Sequence, residues 1–189
     1  WTINGTTYLI AAFNYYLNSG DTNLTKNHIT LVTSRNMYSH RMNPTNTTEG
    51  GYVGSEMYTT GLDQAKTKIH ADFAGHVLTH RRYLSNAVSD GEASAGAWFD
   101  SDVELMNEVM VCGSVMDGKA VYGRFNIGIA KSQLPLFALR PDLLNIREAW
   151  WLRDVSSART FAAVYNTGEI YSINASLVCG VRPVFSISA

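Results

Sequence analysis

Trp150-Trp151-Leu152-Arg153-Asp154, then Asn166-Thr167-Gly168, then Gly180-Val181-Arg182-Pro183-Val184-Phe185: these pieces of the C-terminal stretch decide how the chain is read. Ala149 to Leu152, Phe161 to Tyr165, Ile170 to Ile173 and Val181 to Ile187 are short runs rich in aromatic and β-branched residues, which predicts four strands. Asn166-Thr167-Gly168 predicts a hairpin turn between the second and third. Neighbours on a strand face opposite ways, so one of Trp150 and Trp151 is expected inside and the other outside. Arg153 and Arg182 read as structural, because a guanidinium has five donors with which to tie carbonyls together.

Working outward, Asn4-Gly5 predicts a tight turn between Thr2-Ile3 and the Tyr8-Leu9-Ile10 run. Asn18-Ser19-Gly20-Asp21 reads as a second turn, and His28 to Thr33 as a strand. Asn43 to Gly54, with its Pro, Thr, Asn and Gly, reads as a loop. The period then changes: Leu62, Ala65, Ile69 and Phe73 recur at helical spacing, so an amphipathic helix is expected to end near Gly75. Val77 to Ala87 reads as extended, and Ser89 to Ala97 as small and flexible. Ser101 and Glu104 have capping-box spacing ahead of a Val103, Met106, Met110 stripe, which predicts a second helix closed by Gly113. Gly118 to Ile129 is glycine-interrupted and irregular. Leu134-Pro135-Leu136-Phe137 reads as a short buried edge strand. The expected fold class is α+β: two helices packed on a small, mostly antiparallel, loop-rich sheet, in one domain spanning 1–189.

The composition suits one core and a polar, weakly charged surface. Of the 189 residues 46% are hydrophobic and only 16% charged, and the formal net charge is -1. With no basic run, nucleic acid is not expected as a partner. No apolar run approaches membrane-spanning length, so membrane insertion is not expected either. The chain starts at Trp1, which leaves open that it is the C-terminal part of a longer protein.

Catalytic patterns are missing: there is no GxSxG, HExxH, P-loop or dinucleotide fingerprint. His76 and His80 are four apart, a metal-pair spacing on a helix, but Gly75 is expected to end the helix before them and zinc needs three or four convergent ligands. His28, His40 and His70 add no motif. Asp100, Asp102, Glu104 and Glu108 could suggest calcium. They lack EF-hand spacing, and acidic residues at a helix start are expected from the dipole. Cys112 and Cys179 belong to no CxxC pair, and a single disulfide between them is neither required nor excluded. No metal and no cofactor is expected. Trp98, Trp150 and Trp151 could form a sugar platform, although a Trp on a short strand is more often core.

The C-terminal pieces quoted above resemble the end of C-type-lectin-like domains of the formylglycine-generating-enzyme type. Those domains close with a Trp-rich strand, a variable insert and a Gly-(Phe/Val)-Arg strand. Trp1 to Gly5, Asn27-His28-Ile29 and Gly50-Gly51-Tyr52-Val53-Gly54-Ser55-Glu56-Met57 also look like that group, so the likeness spans most of the chain. Within it, the chain is similar to tail-tip and surface proteins of gut-bacterial phages and their hosts. The catalytic members use an active-site cysteine pair whose surrounding motif is missing here, which implies that the binding fold is kept without oxidase chemistry.

Some domains of this kind are variable proteins of diversity-generating retroelements, in which template adenines are randomised at AAC-type codons. Such randomisation never yields Glu, Lys, Gln, Met or Trp. These types number 24 of 189 residues in the whole chain, so about three are expected by composition in Ser156 to Cys179; Glu169 alone occurs there. In that stretch Phe161, Ala162, Val164, Gly168, Ala175 and then Gly180 look fixed. Arg159, Thr160, Tyr165, Asn166, Tyr171, Ser172, Ile173, Asn174 and Leu177 form the mixed set and are the candidate ligand-binding residues. Tyr and Ser serve well in such a face, as they do in antibody paratopes. The resemblance implies a receptor-recognition protein, non-enzymatic, on a virion tail tip or a bacterial cell surface. Its partner would be a bacterial surface glycan or protein, and a homotrimer of the full-length protein would fit a phage fibre. The alternatives are a structural phage or surface assembly module with a fixed interface, and a formylglycine-generating-type oxidase.

Overall fold

A computed structural model describes residues 1–85, 88–89, 92–93, 96–118 and 132–189. The readings made for Gly118 to Ile129, and for parts of Val77 to Ala87 and Ser89 to Ala97, therefore fall largely or partly outside the described residues. The fold is α+β and mostly sheet.

In chain order the first strands are β1 (Thr2–Ile3), β2 (Thr6–Phe13), β3 (Ile29–Thr33) and β4 (Tyr38–Arg41). A π-helical turn (Met57–Gly61) leads into α1 (Asp63–Phe73). Next come β5 (His80–Ser85), β6 (Val88–Ser89), β7 (Glu92–Ala93), β8 (Gly96–Ser101) and β9 (Val103–Leu105). Two short helices follow, α2 (Glu108–Cys112) and α3 (Pro135–Leu139). The chain ends with β10 (Trp150–Val155), β11 (Thr160–Val164), β12 (Ile170–Asn174), β13 (Val178–Val181) and β14 (Pro183–Ile187).

Two five-stranded sheets carry the structure, in the orders β1-β2-β3-β14-β9 and β12-β11-β10-β13-β4. The first is antiparallel throughout, and the second is antiparallel except for the β10–β13 pair. Three apolar clusters fill the space around them. Tyr8, Leu31, Val103 and Phe185 of the first sheet pack on Ala65, Ile69 and Phe73 of α1. Val32 and Val184, from its other face, meet Trp150, Leu152, Ala162 and Val164 of the second sheet, with Met110 and Phe137 beside them. The far face of the second sheet, with Trp151, Phe161, Ala163 and Val181, is covered by Met42, Tyr52, Met57 and Leu62.

The helical stripe Leu62, Ala65, Ile69, Phe73 is buried as its period requires. Gly75, at φ 79°, follows the helix end. Asn4 and Gly5 both take positive φ, 46° and 83°, the type I′ pattern that suits a two-residue hairpin.

Besides the expected two helices on one small sheet, which among the described residues are three α-helices and two five-stranded sheets, four readings of the sequence are corrected. Ser101 and Val103 to Leu105 are strand, so no helix starts at Ser101. The short helix begins at Glu108, where the Asn107 side chain accepts from the Met110 N–H, and Gly113 closes it in the left-handed region. The acidic group consequently does not cap one helix start: Glu104 pairs with Arg153, Asp102 bonds His70 and Asp100 faces Arg81. Leu134 to Phe137 enters a helix rather than an edge strand, with Pro135 in its first turn, where the missing N–H costs nothing. Trp150 and Trp151 do face opposite ways, yet both are fully buried, because the second sheet is covered on both faces.

The fourth correction concerns Val181 to Ile187. It is not one strand but two, β13 in the second sheet and β14 in the first, and the chain changes sheets at Arg182. That side chain is fully buried. It donates from Nε to the Thr33 carbonyl and from Nη1 to the Leu143 carbonyl, each at 2.9 Å. Its guanidinium stands 4.9 Å from the Trp150 ring and 5.4 Å from that of Phe137.

Candidate functional site

The candidate residues lie on the β11–β12 hairpin and the turn after it. The ladder pairs Thr160 with Asn174, Phe161 with Ile173, Ala162 with Ser172, Ala163 with Tyr171 and Val164 with Ile170. Residues opposite each other share a face, so the set divides. Tyr171 and Ile173 project on the side of Phe161, Ala163 and Trp151; Thr160, Ser172 and Asn174 project on the side of Ala162 and Trp150. The fixed-looking positions Phe161, Ala162, Val164, Ala175 and Gly180 are all buried.

Tyr165 and Tyr171 are 42% and 58% exposed, and they touch, with ring centroids 6.1 Å apart and planes tilted by 53°. Tyr165 is held in place by its own backbone: its N–H donates to the Glu169 carbonyl and its carbonyl accepts from Gly168. Gly168 reaches this turn at φ 96°, beside Asn145. Asn166 is exposed next to the pair. At the other end of the hairpin Leu177 is 53% exposed, in a turn closed by its N–H on the Asn174 carbonyl.

Other members of the set are held by the scaffold. The Thr160 hydroxyl shares hydrogen bonds with Ser156 at 2.8 Å and Ser157 at 2.6 Å. The Ser172 hydroxyl donates to Asp117 at 3.1 Å. Arg159 is exposed, and its carbonyl accepts the Ala175 N–H. Sequence reasoning missed Val178, which is 69% exposed opposite Arg41 and extends the apolar end begun by Leu177. The buried Cys179 and Val181 carry the signal that would have found it, since alternation then turns Val178 outward.

Several of the other chemistry-bearing residues among those described are engaged within the fold. Glu104, fully buried, pairs with Arg153, with the Arg82 Nε 3.8 Å away. His76 Nδ1 lies 3.0 Å from the Ser188 carbonyl. His80 is buried against Tyr16, with ring centroids 4.4 Å apart. Among the described residues no group of three or more His, Cys, Asp or Glu could hold a metal ion. Cys112 and Cys179 are free thiols in different apolar clusters, and burial first of all pushes each up to about 11. A cleft of about 610 Å³ between the β1–β2 hairpin and α1, lined by Thr6, Met37, Tyr38, Asp63 and Lys68, contains none of the candidate residues. No helix of the described residues is long and apolar enough to cross a membrane.

Comparison with protein-family models, with curated proteins and with solved structures found no match to this chain.

Proposed function

We propose that the chain is a non-enzymatic recognition domain of the C-type-lectin-like type, carried on a phage tail tip or a bacterial surface, which grips a surface glycan or protein with its β11–β12 hairpin. The observation that carries this reading is the Tyr165–Tyr171 pair: two touching, solvent-facing aromatics on a hairpin whose alternate residues are locked into two separate cores. A stiff frame under exposed aromatics loses little entropy on binding. The exposed position of Glu169, the one residue in Ser156 to Cys179 that randomised AAC codons cannot supply, fits a turn residue kept outside the diversified set. The raised thiols of Cys112 and Cys179 weigh against the oxidase alternative, because the thiolate is the reactive form.

The test has two arms. Fluorescent parent protein and a Tyr165→Ala/Tyr171→Ala variant are compared for retention on a panel of intact bacteria. Retention of the parent that the double variant loses, with an unchanged melting curve, supports the reading; equal retention of both sinks it. For diversification, a reverse-transcriptase gene beside a near-copy of the Trp151 to Arg182 coding segment is expected in the genome.

A second reading, a fixed assembly module, is favoured by one feature. Ile10, Phe13 and Leu139 are 43%, 69% and 79% exposed along an apolar groove completed by Pro135 and Leu136. That reading predicts that Phe13→Ser, and not the tyrosine variant, abolishes association.

A further inference from the structure

We propose that the outer edge of β12 docks a second copy of this chain, the two β12 strands pairing antiparallel about Ser172 so that the two five-stranded sheets become one. This goes beyond the recognition reading and does not depend on it.

The edge is open. β12 ends its sheet, and among the described residues no strand lies on its outer side. The direction of its main-chain groups follows from the ladder. Tyr165 N–H bonds the Glu169 carbonyl and Ala175 N–H bonds the Arg159 carbonyl, which extends the β11–β12 pairing past both ends. Bonded pairs alternate in an antiparallel ladder, so Tyr171 and Ile173 exchange hydrogen bonds with β11. The N–H and C=O of Ile170 and Ser172, and the N–H of Asn174, therefore face away from the sheet.

Among the described residues the edge is also undefended. Open edges are ordinarily blunted by lysine, proline, a bulge or a covering segment. β12 reads Ile-Tyr-Ser-Ile-Asn, without charge or proline, and its register with β11 runs unbroken through five pairs. The register of β10 on β11, by contrast, shifts between Trp151 and Val155. At the opposite edge of the sheet, β4 carries His40 and Arg41, and the π-helical turn bonds to its end through Met57 N–H on the Met42 carbonyl.

The strand is complementary to itself. A twofold axis normal to the sheet through Ser172 makes Ser172 and the partner's Ser172 a bonded pair, which is what the outward direction of that residue requires. Ile170 then faces the partner's Asn174. Tyr171 faces the partner's Ile173 in a non-bonded pair, where side chains are closest and aromatic–β-branched contacts stabilise pairing. No charged side chain stands on β12 itself, although the axis draws the Asp117 carboxylate that Ser172 bonds toward its own copy. The axis keeps faces together, so both Tyr165–Tyr171 pairs come to one side of the joined sheet.

Disulfide trapping tests the register. In a bonded antiparallel pair the two Cα atoms at position 172 lie about 5.5 Å apart, within disulfide reach. The two copies of position 174 are displaced along the strands by roughly 14 Å, which is out of reach. On mild oxidation of the full chain, S172C is expected to convert to a linked dimer, whereas N174C and the parent, with its Cys112 and Cys179, stay unlinked. Sedimentation supplies the second arm. S172P removes an outward N–H and, like S172A, the Asp117 bond, so it should match the melting temperature of S172A and lose the concentration-dependent dimer, while S172A dimerises like the parent. No linkage at 172, equal linkage at 172 and 174, a trimer in place of a dimer, or dimerisation of folded S172P overturns the proposal; if S172P does not fold, the cysteine variants decide.

Discussion

The side-chain amide of Asn36 packs directly onto the Cα of Gly180. A Cβ at position 180 would stand 2.6 Å from the Asn36 oxygen and closer still to its nitrogen. The amide is fixed there because its Nδ2 donates to Glu148 Oε2 at 2.9 Å and to the Ala149 carbonyl at 3.2 Å, the carbonyl that also accepts Gly180 N–H. Gly180 is thus a glycine for close approach and not for backbone freedom. Gly180→Ala should push the amide out and lower stability by roughly 2–4 kcal/mol, overpacking plus a lost hydrogen bond. Urea titration of G180A, N36A and the double variant checks this. The two losses should be clearly less than additive, and strict additivity would show that the contact carries no energy.

Arg182 makes a different demand at the next turn of the chain. Its fork ties Thr33 to Leu143 between two aromatic rings, and a lysine can reproduce neither the fork nor the stacking. Arg182→Lys should cost about 3 kcal/mol or more, since a buried carbonyl loses its donor and a compact ammonium is buried in its place. R182K is expected to lower the urea midpoint sharply; a midpoint unchanged from the parent would mean that the sheet switch does not depend on this side chain.

These two residues also mark the limit of what could be read in advance. The α1 stripe, the Asn4-Gly5 turn and the C-terminal strands were legible because each rests on a local period or a turn preference. The sheet switch was not, because Val181 to Ile187 is a continuous β-forming run. What divides it is the set of partners that Arg182 finds far away in sequence. Ser101 to Glu104 was misread for a related reason: a capping spacing is a weak local signal, and the pairing of Glu104 with Arg153 across the core overrides it. At Leu134-Pro135, one proline suits both a helix start and an edge strand, and five residues are too few for a period to decide. In the candidate site, Tyr165, Tyr171 and Leu177 are exposed, but the division of the set between two faces needed the register.

That division predicts where the hairpin tolerates change. Tyr165, Asn166, Tyr171 and Leu177 are exposed, so replacing each by Ala should alter stability by no more than about 0.5 kcal/mol. Phe161→Ala, one or two side chains away on the same ladder, empties a fully buried site and should cost roughly 3–5 kcal/mol. Thermal melts of the five variants test whether the mixed and fixed positions differ as a diversified face requires. A large loss at Tyr165 or Tyr171 would make that pair part of the core.

His80 gives the fold an acid-side weakness. Burial, then the Arg82 charge, holds its imidazole down to about 2, against an ordinary value of 6.5. The folded chain keeps this ring neutral while the unfolded chain takes up a proton below 6.5. Its contribution is therefore fully present above about 6.5 and is lost as the pH falls, at up to about 1.4 kcal/mol per pH unit. His80→Gln should be less stable than the parent at pH 8, through lost packing on Tyr16, but should lose less between pH 7 and 5. Parallel stability curves for the two proteins would show that His80 is not the titrating group.

Asp154 acts in the opposite direction. It lies on β10 against the start of α2, where its Oδ2 accepts the Glu108 N–H at 2.7 Å. The Glu108 carboxylate, fully buried beside it, accepts the N–H groups of Met116, Asp117 and Gly118 at 2.8, 3.0 and 2.9 Å. Burial first, and Glu108 second, push the Asp154 carboxyl up to about 7 from 3.8, with Arg153 opposing. Between those values the folded chain binds a proton that the unfolded chain has released, so this group stabilises fully below about 4 and loses its contribution as the pH rises through 7. Asp154→Asn keeps an acceptor for the Glu108 N–H and removes the titration. D154N should therefore be more stable than the parent at pH 8, by roughly 1–3 kcal/mol, with the difference shrinking steadily toward pH 4. Taking the difference between the two proteins at each pH cancels the slope due to His80. A D154N variant no more stable than the parent at pH 8 would mean that Asp154 is already ionised in the fold, and that the three N–H donors around Glu108 suffice to hold two adjacent carboxylates.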